Sequence, residues 1–600
     1  MIDRIRCGRH RRATLALTLA LACSGLVGFA AQPTRPNVVL ILIDDLSHYG
    51  VTAYGSNRVS EETGLFKEQF VSTPRIDRLA AEGLRCTYAH VYPLCEPTRV
   101  AILTGQYNSR NFVQPKALHA SQITISDLFK RAGYATGIFG KWKQSRGTAS
   151  IPGKDYLYEF GWDEFCCFDV VDQGSRYLNP NLVINGEVID FGKKGSIDPD
   201  TGRRWYGPDI CNRQLLDFVR RHRDEPFFVY YPMLLVHDEH TPTPDTHPSS
   251  AFDRFSDKPC YQKPCPGDDR SYFPDMLAYT DKLIGRVVDE LERLGVRDNT
   301  LILVMGDNGT KEPFSHHLAD GTVYPGGKGD TKDNGTHVPL ILAPGKSLGT
   351  KIEAGEGVYK GLVDVVDILP TLCEAAEVPI AEQLSIDGVS FWPQVKGRGG
   401  EHRDHIYAWY NANTPWTETQ HLLRYAFDRS FKRYAENQRF REGRFFDLRT
   451  DLLELAGNRE ERVAWGHRRR SGLDPALLNK DQRSAYARLG AVLDANTLVP
   501  VETVRIEASI ASVKVGETRP LRAEVSPANA IRRNLIWESS DPAVASVNKF
   551  GDLTAHASGE VTVTAYAWDA AAPVATGGGS EYSRAGPQDT VRVRVAAGVN

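Results

Sequence analysis

Apolar runs that end in charged residues alternate with amphipathic stretches over the first four hundred positions of this 600-residue chain. NVVLILIDD (37–45) is apolar without alternation and closes on two acids. A strand covered on both faces reads this way, and such strands belong to parallel sheets. RIDRLAAEGL (75–84) spaces its apolar residues as a helix does and stops at a glycine. ITISDLFKRAGY (123–134) repeats the pattern, and ATGIFGK follows as a short strand. QLLDFVRRH (214–222) leads into PFFVYYPMLLVH, and MLAYTDKLIGRVVDELERLG (276–295) leads into TLILVMGDNG. This alternation predicts an α/β fold, a mixed but mostly parallel sheet between helices.

Beyond about residue 400 the pattern changes to short, aromatic-rich strands: HIYAWYN, LRYAFD, FKRYAEN and RFFDLRT. They predict a small antiparallel C-terminal subdomain. From 503 onward TVRIEA, LRAEVSP, NLIWESSD, SVNKFGDLTAHASGEVTVTAYA and TVRVRV alternate apolar and polar positions between turn signals. That is the pattern of an appended all-β sandwich. The Gly- and Ala-rich stretch AAAPVATGGGSEYSRAGPQ reads as a loop within it.

Six hundred residues exceed one ordinary core, in keeping with several domains. The formal net charge of -3 gives no sign of a nucleic-acid partner. The N-terminus changes the picture more. Arg4, Arg6, Arg9, Arg11 and Arg12 precede ATLALTLALACSGLVGFAA, and no acid stands between Asp3 and Asp44. Residues 1–30 therefore read as a signal peptide cleaved after Ala30, which implies export to the periplasm, the cell surface or the medium. Cys23 after LALA raises a lipid anchor as a weaker alternative. No later apolar run is long enough for a membrane span. Of the cysteines beyond Ala30, Cys260 and Cys265 bracket CYQKPC and form the favoured local disulfide in an oxidising compartment. The adjacent Cys166 and Cys167 do not suit one another, and Cys95 is assigned no disulfide.

Candidate chemistry gathers at the strand ends. Asp44, Asp45, Lys141, His237, Asp307 and Asn308 each close or follow an apolar run. Ligands of such folds collect beyond the carboxyl ends of strands, so these residues point to one site. Four oxygen donors among them suit calcium or magnesium rather than zinc. Strand-end acids that merely cap the next helix are the competing reading. In PLCEPTRVAILTGQY (93–107), VAIL reads as a buried helical turn and Pro97 suits a helix start. Cys95 then stands just ahead of unpaired N–H groups that favour an anion. Taken alone, it reads equally as a buried cysteine near a turn.

With C-x-P-x-R, G-K-W and the second lysine of GGKGDTKDNGTHVP together, the chain resembles the formylglycine-dependent sulfatases of the alkaline phosphatase superfamily. The likeness runs from about residue 36 to about 458, through NVVLILIDDL, CEPTRVAILTGQY, GYATGIFGKW, FFVYYPMLLVH, LILVMGDNGT, GGKG…HVP, VDVVDILPTL and FFDLRTDLLE. It implies that a formylglycine-generating maturation enzyme oxidises Cys95 to an aldehyde whose hydrate is the nucleophile. It implies that Asp44, Asp45, Asp307 and Asn308 hold calcium together with an oxygen of residue 95. By the same likeness Arg99 secures residue 95, Lys141 and Lys328 bind sulfate oxygens, and His237 protonates the leaving alcohol.

The chain departs from the family in places. Lys143 stands where many relatives carry a histidine that assists the nucleophile, which leaves the base for sulfate release open. Lys143 reads either as a substrate-binding residue or as a solvated charge. His337 replaces an arginine before V-P. His316 and His317, in the loop after Asp307, are candidates to face the substrate, with surface loop histidines as the alternative.

VKVGET, IWESSDPAVASV and GDLTAHASGEVTVTAYA resemble the bacterial group 2 immunoglobulin-like domains. The organisation expected is a catalytic N-terminal subdomain at 36–400, its C-terminal subdomain at 401–497 and an immunoglobulin-like domain at 503–597. The function expected is an exported sulfatase acting on a sulfated carbohydrate or other sulfate ester. The rivals are a phosphoester or phosphonate hydrolase of the same superfamily, against which Cys95 speaks, and a non-catalytic surface-binding protein, against which the polar site residues speak.

Overall fold

The computed structural model describes residues 35–112, 117–144, 154–170, 175–193, 196–257, 267–350, 357–411, 422–437, 440, 443–456, 460–462, 468–470, 472–507, 512–567 and 586–597. The expected signal peptide, the expected Cys260–Cys265 disulfide and most of the Gly- and Ala-rich stretch lie outside them.

Five parallel strands occupy the middle of a ten-stranded sheet. In spatial order they are Glu164–Phe168, Ala135–Lys141, Phe227–Pro232, Asn37–Ile43 and Thr300–Gly306. Every residue of Asn37–Ile43 is buried. Its side chains divide between two cores, Val38, Leu40 and Leu42 on one face and Val39, Ile41 and Ile43 on the other. That is why the run shows no polar alternation. The helices Pro74–Glu82, Gly207–Arg221 and Phe273–Arg293 cover the second face. Gly207–Arg221 begins well before the periodic stretch at Gln214, because Pro208 and Asp209 supply a helix start. One side of the sheet is mixed: His337–Ala343 runs antiparallel to both Thr300–Gly306 and Leu84–His90.

Ile406–Tyr410, Leu423–Phe427, Phe431–Tyr434 and Arg444–Asp447 form a four-stranded antiparallel sheet. Its residues Tyr407, Trp409, Tyr425 and Phe445 share one core with Leu40 and with Val100–Leu103 of the cysteine-bearing helix. The change of pattern near residue 400 thus marks a new sheet, not a new core. The tail has a core of its own, built on Trp537, Val561, Val563 and Val593. Among the described residues, Cys86, Cys95, Cys166, Cys167, Cys211 and Cys373 are free thiols.

Candidate active site

Register brings the strand ends together. Ile43 lies opposite Gly306, and Leu42 opposite Pro232, so the residues that follow all emerge at one level of the sheet. Asp307 N–H donates to the Ile43 carbonyl, and Asp44 N–H to that of Leu235. Asp45 adopts a φ of 60°, a region that Asp tolerates better than most residues. This turn sets its carboxylate beside those of Asp44 and Asp307. One oxygen from each of the three lies within 4.8 Å of the others.

Cys95 is the first residue of the helix Cys95–Thr104, which is buried throughout. Its Sγ lies 3.5 Å from Lys141 Nζ. The Arg99 guanidinium, one turn on, is fully buried and donates to Asp307 Oδ2 at 2.7 and 3.1 Å. It also donates to the carbonyl of Lys141 at 3.3 Å. Lys141 Nζ sits 2.6 Å from Asp44 Oδ2, and Lys328 Nζ 2.6 Å from Asp45 Oδ2. Asn308 Nδ2 donates to Asp45 Oδ1 at 2.9 Å. His237 holds Asp238 through Nδ1 at 2.6 Å and presents Nε2 at 3.8 Å from Asp45.

Burial controls the charges here. It raises the Asp307 carboxyl to about 7, with the Asp44 charge adding to the rise and Arg99 opposing it. Burial acts the same way on Asp44, yet Lys141, His237 and Arg99 outweigh it and hold that carboxyl well below the usual range. The Cys95 thiol is pushed up to about 11 by burial, against the pull of Lys141. His237 is drawn down to about 4 by burial and then by the Arg176 charge.

The site accommodates a hard cation. Asp44 Oδ1 and Asn308 Oδ1 are buried oxygens with no hydrogen-bond partner. Together with Asp45 and Asp307 they make an all-oxygen donor set, which suits calcium or magnesium.

Other expected residues fall differently. Lys143 is half-buried: at a φ of 73° its ammonium pairs with Glu96 at 3.4 Å. His316 and His317 lie on the strand Phe314–Leu318. His316 is fully buried and bonded to Thr310 at 3.0 Å, while His317 meets Ser60 at 2.7 Å and Glu68 at 3.4 Å. Neither bonds with a residue of the carboxylate cluster in these contacts. His337 stacks between His48 at 3.9 Å and His90 at 4.7 Å. Two participants escaped the sequence reading. Arg176 brings Nη1 to 3.8 Å from Asp44 Oδ2. Glu96 Oε2 accepts from the Cys95 thiol at 3.1 Å. Glu96 was in view as the first variable position of C-x-P-x-R, whereas nothing in the pattern around Arg176 marks it.

A family model described as Sulfatase matches residues 36–378, and one described as Bacterial Ig-like domain (group 2) matches residues 500–574. The chain is 27% identical over 428 residues to N-acetylgalactosamine-6-sulfatase of Homo sapiens, covering 64% of this chain and 74% of that protein. It is 26% identical over 440 residues to N-acetylgalactosamine-6-O-sulfatase of Bacteroides thetaiotaomicron, covering 62% and 78%. Among solved structures, that of BT4656 in complex with its substrate D-glucosamine-2-N,6-O-disulfate matches with a TM-score of 0.53 at 19% identity. It covers 77% of this chain and 99% of that one.

Proposed function

Because the chain belongs to the sulfatase family, and is therefore a sulfuric ester hydrolase, we propose that it removes sulfate from sulfated carbohydrates after export from the cytoplasm. The observation that carries this reading is the meeting of Cys95, Lys141 and three carboxylates at one end of the sheet. The carbohydrate class is supported by the relatives named for a sulfated sugar, N-acetylgalactosamine 6-sulfate, and by the sulfated monosaccharide bound to BT4656. Export is supported by the basic and apolar leader. Among the described residues no helix is long and apolar enough to cross a membrane.

Formylglycine made from Cys95 supplies, once hydrated, a nucleophilic oxygen and a second hydroxyl on the same carbon. Calcium held by Asp44, Asp45, Asp307 and Asn308, with an oxygen of residue 95, supplies a dication that offsets the negative charge of the sulfate. The remaining work falls to the chain's own side chains. Lys141 and Lys328 neutralise Asp44 and Asp45, and with that negative charge taken up by a bound cation both ammonium groups would be available to sulfate oxygens. Arg99 keeps its place on Asp307 and steadies the start of the helix that carries residue 95. His237, oriented by Asp238, gives a proton to the bridging oxygen as the alcohol leaves. The bound sulfate's charge favours the protonated imidazole that burial disfavours in the resting site.

The test is an assay of calcium-loaded protein on a panel of sulfated glycans, matched with phosphate and phosphonate esters, alongside the mass of the peptide bearing residue 95. Release of sulfate from a glycan by protein carrying the aldehyde is the expected result. Faster turnover of the phosphorus esters, with an unmodified cysteine, overturns the reading.

A further inference from the structure

The carboxylate that accepts a hydrogen bond from Cys95 is not one of the three in the candidate cation site. Glu96 Oε2 lies 3.1 Å from Cys95 Sγ, and its other oxygen, Oε1, lies 3.4 Å from Lys143 Nζ. Both side chains are largely enclosed, Glu96 at 10% and Lys143 at 23% exposure. Lys143 holds this position at a φ of 73°, a conformation uncommon for lysine, two residues beyond the strand Ala135–Lys141. A chain of contacts therefore runs from Lys143 through Glu96 to residue 95.

This arrangement bears on the position where the chain departs from its relatives. We propose that Glu96 is the base that frees sulfate from residue 95, and that Lys143 is the positioning residue that aims its carboxylate. The proposal rests on conversion of Cys95 to formylglycine. Sγ then marks the place of an oxygen on the same carbon. After attack, that carbon bears one oxygen esterified to sulfate and one hydroxyl. The hydroxyl proton passes to Glu96 Oε2, and the O–H electron pair becomes the second bond of the aldehyde carbonyl. The carbon–oxygen bond to sulfate breaks with its electrons on sulfate, which leaves as the dianion. Glu96 returns the proton to solvent, and water adds to the aldehyde to restore the diol. Lys143 is unsuited to accept that proton itself, since an ammonium in an ion pair offers donors and no lone pair. His237 Nδ1 is engaged with Asp238, and the ring faces Asp45.

The experiment uses calcium-loaded, converted enzyme and 4-nitrophenyl sulfate. Glu96→Gln keeps the side chain's size and removes its basicity. It should give one equivalent of nitrophenol per site, then turn over on the order of 10²- to 10⁴-fold more slowly, the range for loss of a general base. The peptide bearing residue 95 should accumulate with sulfate attached. Lys143→Met should accumulate the same adduct to a smaller extent, and Lys143→Arg should restore turnover. A converted Glu96→Gln enzyme with parental turnover and no sulfated peptide overturns the role of Glu96 alone. So does accumulation of the adduct in His237→Ala instead. An active parent with unmodified Cys95 overturns the formylglycine reading and this proposal with it. A second readout needs neither aldehyde nor calcium. In unconverted protein, Glu96→Gln should speed alkylation of Cys95 by iodoacetamide, because a carboxylate beside the sulfur disfavours the thiolate. An unchanged rate overturns the contact on which the proposal stands.

Discussion

Lys549 of the C-terminal sandwich places its ammonium 2.9 Å from the carboxylate of Asp127. Asp127 closes the capping box of the helix Ile125–Arg131 on the catalytic side. The same ammonium donates to the carbonyls of Gln122 at 3.2 Å and Glu159 at 2.5 Å. Next to it, Phe550 packs into the core that holds Leu40 and Trp409. The sandwich has its own core, yet it also completes one belonging to its neighbour. Lys549→Met should cost about 1.5–3 kcal/mol, the usual worth of hydrogen bonds to a charged group. It should lower the urea midpoint of the catalytic part and leave kcat unchanged. A chain ending near Pro500 should still hydrolyse small soluble esters, with a lower midpoint than Lys549→Met because Phe550 is lost as well. An unchanged midpoint in both would show that the contact contributes nothing.

Arg176 offers a hydrogen-bond donor that the resting site leaves unused. Its Nη1 is buried without a hydrogen-bond partner, 3.8 Å from Asp44, and the guanidinium lies over Phe168 at 5.2 Å. An anionic substrate oxygen is the natural acceptor. Arg176→Met should raise KM for a sulfated sugar by about 10- to 100-fold, matching about 1.5–3 kcal/mol for a charge-assisted bond. It should also move the alkaline limb of kcat/KM upward in pH, because the general acid must be protonated and the Arg176 charge helps to hold His237 at about 4. Steady-state kinetics across pH reads both effects, and a change in neither removes Arg176 from the site.

The legible part of this site is the part that local pattern dictates. A parallel strand buried on both faces must be apolar to its end, so the polar residues that follow, such as Asp44 and Asp307, stand out against it. Helix chemistry likewise marks the start at Cys95. What escaped depends on contacts between distant segments. Arg176 follows no periodic run, and its role arises because the strand Glu164–Phe168 adds to the sheet beside Ala135–Lys141. The pairing of Glu96 with Lys143 comes with a left-handed backbone at Lys143 that no residue type announced. His316 read as a loop residue because a polar pair breaks the alternation. It is instead a buried strand position whose Nε2 is bonded to Thr310. The core shared across residue 400 was hidden for the same reason, since two sheets of different patterning pack on one face.

Cation binding at the three carboxylates should depend on pH through Asp307. With its carboxyl raised to about 7 by burial and by Asp44, the cation-free site holds a proton there over part of the neutral range. A cation must displace that proton, so affinity should rise as pH increases through about 7 and level off above it. Calcium titrations in buffers of different ionisation enthalpy should show proton release at pH 6 that fades by about pH 8.5, following a simple titration curve. Asp307→Asn should abolish tight binding and remove the proton release. Removal of calcium by chelation should abolish turnover without unfolding the chain. Affinity that falls as pH rises would contradict the raised carboxyl.

The assignment of His237 is tested by changing the leaving group. A sugar alcohol holds its proton far more tightly than an activated phenol does. Its departure as an alkoxide is correspondingly difficult, so the transition state needs a proton on the bridging oxygen. A nitrophenolate leaves readily without one. His237 stands in the right relation to supply it, with Nδ1 fixed by Asp238 and Nε2 turned toward Asp45 and the cation site. His237→Ala should therefore slow a sulfated sugar by on the order of 10²- to 10⁴-fold and slow an activated aryl sulfate much less. His237→Gln should behave similarly, because an amide can hydrogen-bond to the bridging oxygen but cannot transfer a proton at this cost. The comparison also separates His237 from Glu96. Loss of the base acts after the alcohol has gone, so it should limit both esters through a common step, whereas loss of the acid discriminates between them. Equal losses on the two substrates for His237→Ala would remove it as the general acid.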